Sequence, residues 1–225
     1  MNPGKSILFV VTNCDRIDSD HPTGLWLEEF AVPFEAFREA GFDVEVASPG
    51  GGSAPIDPRS TPPEEQKEQW AAARKALEKT RPLNRVDSAP FEALFLPGGH
   101  GTMFDLPECK ALQRLLETFE GQEKVIAAVC HGPAGLVGAL GKDGRPLVAG
   151  RTLTAFTDAE EKTVELDGLM PFLLESRLRE LGAKFVTGSN WQDHVERDGN
   201  LITGQNPQSS ASTARAVLEL LNRGD

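Results

Sequence analysis

Short apolar runs alternate along the chain with segments in helical spacing. Ser6 to Thr12 (SILFVVT) is apolar at nearly every position, the pattern of a strand covered on both faces. Gly24 to Ala40 places Leu25, Trp26, Phe30, Phe34 and Phe37 on or near one helical face. Pro33 predicts a start or a kink within that helix, because proline donates no backbone N–H. Gly41 stops it, and Phe42 to Ser48 alternates as a second strand. Pro49 to Pro63 reads as loop, Glu64 to Lys79 as a charged helix holding Trp70, and Pro82 to Pro90 as irregular chain.

Beyond that stretch the rhythm resumes. Ala93–Pro97 and Val125–Val129 are buried strands, and Cys109–Phe119 is a helix between them. Small residues from Ala134 to Leu140 predict a short helix packed tightly on the sheet. Arg151–Phe156 reads as a fifth core strand, Pro171–Leu181 as a helix, Lys184–Thr187 and Asn200–Thr203 as late strands, and Ser209–Asn222 as the closing helix. Strands separated by helices need crossover connections, so the expected fold is α/β: a three-layer, flavodoxin-like sandwich, a mostly parallel sheet with helices on both faces. The 225 residues are expected to form one domain, with about 50–90 as an insertion too poor in apolar residues for a core of its own.

Composition narrows the partners. The net charge of −11 opposes phosphate backbones, so no nucleic-acid partner is expected. No apolar run is long enough to cross a membrane. The seven-residue apolar start is too short for a signal peptide, and three cysteines (Cys14, Cys109, Cys130) form an odd set; both point to a reducing cytoplasm and free thiols.

The chemistry gathers at expected strand ends, where open parallel sheets bind ligands. Ala128-Val129-Cys130-His131-Gly132 is a strand turning sharply into a helix, with small residues two before and two after the cysteine. That is the steric pattern of a nucleophile elbow, and the dipole of the following helix is expected to lower the Cys130 thiol pKa. His131 can take a proton from a neighbour in the same pocket. Gly98-Gly99 offers backbone N–H groups that, with the N–H of His131, can hold an oxyanion. His100 reads as a pocket wall, a metal ligand or a loop residue, with wall or loop favoured. His21 and His194 are too scattered for metal-ligand spacing, so no metal is expected. No cofactor is expected. Glu28 or Glu29, in an otherwise apolar helix, is the candidate proton shuttle, while Asp158, Glu160 and Glu161 are candidates to orient His131.

These segments carry a resemblance. TGLWLEEFAVPF, FLPGGHGTMFDLP, VIAAVCHGPAGL, GRPLVAGRTLTAFTDAEE and DGNLITGQNPQSS resemble the PfpI/ThiJ superfamily, whose fold is similar to class I glutamine amidotransferases. The branch they look like holds glutathione-independent glyoxalases (glyoxalase III) and stress-inducible holding chaperones. The resemblance implies Cys130 as nucleophile, His131 as its histidine, Glu161 as the triad acid with Asp158 as fallback, and Glu29 as the carboxyl that meets the sulfur. The glutamate pair Glu160-Glu161 leaves the triad register open by one residue. The resemblance further implies an oxyanion hole at Gly99 and His131, a homodimer, and conversion of methylglyoxal and related 2-oxoaldehydes to 2-hydroxy acids such as lactate. A holding chaperone binding unfolded clients, a deglycase and a cysteine peptidase are the alternatives it carries.

Overall fold

The computed structural model describes residues 5–62 and 64–222; the N-terminal tail and Pro63, the end of the expected loop, lie outside the described residues. The elements run β1 (Ser6–Val10), α1 (Leu27–Glu39), β2 (Asp43–Ser48), α2 (Glu64–Gln69), α3 (Ala71–Leu77), β3 (Arg81–Pro82), β4 (Phe91–Leu96), α4 (Thr102–Asp105), α5 (Lys110–Gly121) and β5 (Val125–Val129). There follow β6 (Thr152–Leu153), α6 (Asp158–Thr163), α7 (Leu174–Glu180), β7 (Lys184–Phe185), β8 (Val195–Asp198), β9 (Leu201–Gly204) and α8 (Ser210–Leu221). Seven strands form one sheet in the order β3-β2-β1-β4-β5-β9-β8. All pairs are parallel except β8 with β9.

The α/β, flavodoxin-like fold follows from side-chain alternation. In β1, Ile7 and Phe9 enter the apolar layer under α1 and α8, while Leu8 and Val10 enter the layer under α5. β4 and β5 divide in the same way, Phe95 and Ala127 to one face, Leu94 and Ile126 to the other. Burial on both faces is why these strands read as unbroken apolar runs. Phe9 is the hub of the first layer, with ring centroids 5.1 Å from Phe30, 5.8 Å from Phe37 and 5.0 Å from Phe95. That packing also carries α1 straight through Pro33, a buried residue within the helix.

Three expectations are corrected. The stretch 151–156 is no core strand: only Thr152–Leu153 is extended into a ladder, in a separate two-stranded sheet with β7. β9 takes the place beside β5, and Thr154 N–H bonds the Thr203 hydroxyl instead of a backbone carbonyl. The helix expected over 64–79 breaks at buried Trp70 into α2 and α3. The helix after Cys130 is a five-residue 3-10 turn, Gly132–Leu136.

The segment 50–62 is stitched to the start of α1. Leu25 N–H donates to Pro55 O, Asp57 N–H to Leu25 O, and Leu27 N–H to the Ser60 hydroxyl. Replacing Phe9 by alanine should lower stability by about 3–5 kcal/mol, as removal of a fully buried phenylalanine does. Urea unfolding measures it, and a loss under about 1 kcal/mol would mean the cluster is not the keystone of that face.

Candidate active site

Cys130 follows β5 directly and adopts φ +59°, a left-handed conformation rare outside glycine. Its N–H donates to Gly204 O, and its carbonyl accepts from Phe156 N–H, so β9 and the 151–156 segment hold the bend from both sides. Gly132 is required by the same bend, because a Cβ there would run into the Leu96 carbonyl.

The thiol sits 3.2 Å from His131 Nδ1. On the far side of the ring, His131 Nε2 lies 2.7 Å from Glu161 Oε2. An ionised carboxylate only accepts, so Nε2 carries the proton and Nδ1 offers its lone pair to the sulfur. Burial alone would push the Glu161 carboxyl up, but the charge of His131 and the hydrogen bonds of His100 and His131 outweigh it and hold Glu161 far below the usual range. Glu161 is therefore ionised throughout the pH range in which the fold is useful.

The other acidic candidates have different work. Asp158 binds the Ser176 hydroxyl and backbone, tying α6 to α7. Glu160 closes a capping box with Thr157 and accepts from Trp191 N–H, Gln205 and Asn206. Neither reaches His131.

Glu29 is fully buried, whereas Glu28 is exposed. Glu29 Oε2 accepts the Gly98 N–H at 2.8 Å, and Oε1 has no partner of ordinary geometry among the described residues. Burial pushes its pKa up to about 8, against the lowering effect of the Cys130 thiol and the Gly98 N–H. At neutral pH Glu29 is mostly the uncharged acid, its proton on Oε1.

The thiol itself departs from expectation. Burial, then the charge and hydrogen bond of Glu29, push the Cys130 pKa well above the ordinary value, and the short turn that follows brings too little dipole to reverse this. Cys130 rests as a neutral thiol, not as a thiolate.

Gly99 has φ +102°, and a Cβ on it would strike Gly24 O and Trp26 N. The N–H groups of Gly99 and His131 have no hydrogen-bond acceptor among the described residues. They remain available to an incoming oxygen. Cys130, Glu29, Gly99 and His131 line a cavity of about 340 Å³, whose apolar side is made by Trp26, Phe156, Val164 and Trp191. A larger groove of about 1000 Å³ lies at the opposite, amino-terminal ends of the strands, away from these groups.

One residue has a larger part in the site than its sequence reading gave it, and another reaches the site without having been singled out. His100, expected as wall or loop, bonds Glu161 Oε1 through Nε2 at 2.8 Å. Arg59, from the segment taken as a bystander insertion, lines the same cavity. An arginine two residues after an aspartate in Ile56-Asp57-Pro58-Arg59 was the available signal. His100, His131 and Glu161 bring donor atoms within 4.8 Å of one another, close enough for a metal ion. In this arrangement both carboxylate oxygens accept an imidazole N–H, and the three groups form one hydrogen-bonded network. Cys14 and Cys109 are free and half-buried, and neither lines the cavity.

Fold and side-chain arrangement define a cysteine-centred α/β protein. Residues 23–220 match the DJ-1/PfpI family, and the chain belongs to it. It is 33% identical to the glutathione-independent glyoxalase HSP31 of Saccharomyces cerevisiae, over 98% of this chain and 99% of that one. Its structure is similar to that of glyoxalase III from Candida albicans, with a TM-score of 0.88 and 30% identity over 95% and 96% of the two chains. It is also similar to the Rapid Encystment Protein of 24 kDa from Francisella tularensis, with a TM-score of 0.90 and 33% identity over 96% and 98%.

The buried acid leaves a measurable trace. Glu29 keeps its proton to about pH 8 when folded but loses it near 4.5 when unfolded, so the folded chain binds more protons in that window. Stability should fall as pH rises through it. Glu29→Gln should flatten the slope of urea midpoints between those values; an unchanged slope would assign the linkage to another group.

Proposed function

We propose that the protein is a glutathione-independent glyoxalase, converting methylglyoxal and related 2-oxoaldehydes to 2-hydroxy acids. The observation that carries this reading is the convergence of three groups at one cavity: a thiol, a base 3.2 Å from it, and a neutral carboxylic acid. Relatives named as glyoxalases over nearly the full chain support it.

The chemistry follows from the protonation states. His131 Nδ1 takes the thiol proton as the sulfur adds to the aldehyde carbon. The alkoxide meets the free N–H groups of Gly99 and His131, each such donor stabilising it by roughly 3 kcal/mol. The imidazolium, held by Glu161, returns the proton to that oxygen and closes the hemithioacetal. The sequence leaves open whether Glu29 or His131 removes the C1 proton. With Glu29 protonated, His131 is the base, and Glu29 protonates the C2 oxygen to give the enediol. His131 then delivers its proton to C2, the C1 hydroxyl returns a proton to Glu29, and a thioester remains. Water hydrolyses it to the 2-hydroxy acid and regenerates the thiol. Aldehyde plus water balances the acid formed, so no redox partner enters.

A redox-sensing stress protein needs an acidic thiol, and the Cys130 pKa is raised. The deglycase and peptidase alternatives use the same sulfur, and a client-holding chaperone does not need it. We further propose one domain in which the 50–62 segment serves the site, a homodimer by family likeness, and a reducing compartment, which suits three free cysteines.

Purified protein should turn methylglyoxal into lactate without glutathione, and Cys130→Ala should abolish this. Turnover surviving that substitution would overturn the reading. Glu29→Gln, which keeps the shape but cannot exchange a proton, should lower kcat by about 10²–10⁴-fold. Since the acid form starts the sequence, wild-type activity should decline above about pH 8.

A further inference from the structure

The side of Glu161 turned away from His131 is also organised. His100 Nε2 meets Glu161 Oε1, and His100 Nδ1 lies 3.1 Å from an Arg59 terminal nitrogen. Arginine has donors and no acceptor, so His100 Nδ1 must be the acceptor. The single proton of a neutral imidazole then sits on Nε2, aimed at Glu161. Arg59 is in turn locked: its Nε and one terminal nitrogen reach the two oxygens of Asp57 at 3.0 and 2.6 Å, and Thr23 caps that carboxylate at 2.9 Å. Asp57 is fully buried and starts the Pro58–Ser60 turn.

We infer that Arg59, held by Asp57, is a positioning residue that fixes His100 as the neutral Nε2–H tautomer, so that Glu161 receives one N–H on each oxygen and keeps its charge for His131. The His100 and His131 rings lie 4.1 Å apart between centroids. A second proton on His100 would place a cation against His131 at the moment His131 must accept the thiol proton. It would also draw Glu161 toward His100. Without Arg59, Nδ1 becomes an open lone pair, and nothing on that side opposes protonation.

The groups acting on His100 are Glu161 from α6, His131 from the β5 elbow and Arg59 from the turn, with Asp57 behind the guanidinium; Cys130 and Glu29 line the cavity beyond His131. Burial first, then the charge of His131, bring His100 down to about 4, and Arg59 pushes in the same direction. Loss of Arg59 therefore raises the pH at which His100 charges.

This role rests on the glyoxalase reading for its kinetic consequence but not for its structural one. Nitrogen-15 NMR of the unliganded protein reads the tautomer directly. In wild type His100 should be the Nε2–H form at pH 7 and stay neutral to below pH 5; an Nδ1–H form would overturn the inference without any variant. In Arg59→Met, His100 should titrate at higher pH than in wild type, and the acid limb of kcat/KM for methylglyoxal should move in the same direction. Arg59→Lys, which retains a donor, should restore both. Unchanged tautomer and titration in Arg59→Met would sink the proposal. The expected spectra with no methylglyoxal turnover by wild type would leave the positioning intact and remove only the glyoxalase reading.

Discussion

The site depends on one backbone constraint, the left-handed conformation of Cys130. Such a conformation costs of order 1–3 kcal/mol for a side-chain-bearing residue and persists only where neighbours over-determine it. Here they do. β9 takes its N–H, Phe156 takes its carbonyl, and the Thr102 hydroxyl binds the carbonyl of the next residue, His131. The bend turns the sulfur out of the sheet toward α1 and leaves the His131 N–H without an acceptor among the described residues. Were Cys130 extended like Val129 before it, the sulfur would sit in the core, and neither Glu29 nor His131 would reach it.

Around that bend, environment splits two carboxyls of equal intrinsic strength. Glu29 lies on an apolar helix face with one N–H donor, and burial wins, so it keeps a proton to about pH 8. Glu161 is buried nearly as well but faces two imidazoles, and their hydrogen bonds and charge win. At neutral pH one keeps its proton and the other is an anion. Divergent acidities of this kind assign acid and base roles within a single pocket.

Much of this was legible because local rules and the fold agree. Strands covered on both faces must be apolar throughout, so β1, β4 and β5 stand out in the sequence. The elbow declares itself through Ala128 and Gly132, since no larger residue fits beside the bend. Periodicity could not separate Glu28 from Glu29, as neighbours on a helix differ by a rotation that one flanking aromatic does not fix. The thiol acidity was misread because it is set by what burial and Glu29 do in three dimensions, not by the turn that follows in sequence. The charge pair in Asp57-Pro58-Arg59 marks Arg59 only weakly, for a related reason. Its importance comes from the Leu25–Pro55 and Leu25–Asp57 backbone bonds that fold a proline-rich loop onto the start of α1, and no periodic pattern encodes them. The edge strand β8 hid likewise, because three of the four residues in Val195–Asp198 are charged.

A buried thiol whose pKa is raised must hand over its proton before the sulfur can act as a nucleophile, and His131 Nδ1 lies 3.2 Å away to take it. In the proposed reaction Cys130 ionises as it attacks, His131 takes the proton, and Glu161 balances the resulting charge. Addition of a thiol to an aldehyde is reversible and needs no leaving group, so the demand falls on proton placement in the steps that follow. Those steps require an acid and a base that do not neutralise one another beforehand. Glu29 and His131 meet that condition because they approach the sulfur from α1 and from the elbow, each bound to its own partner, Gly98 and Glu161, and not to the other.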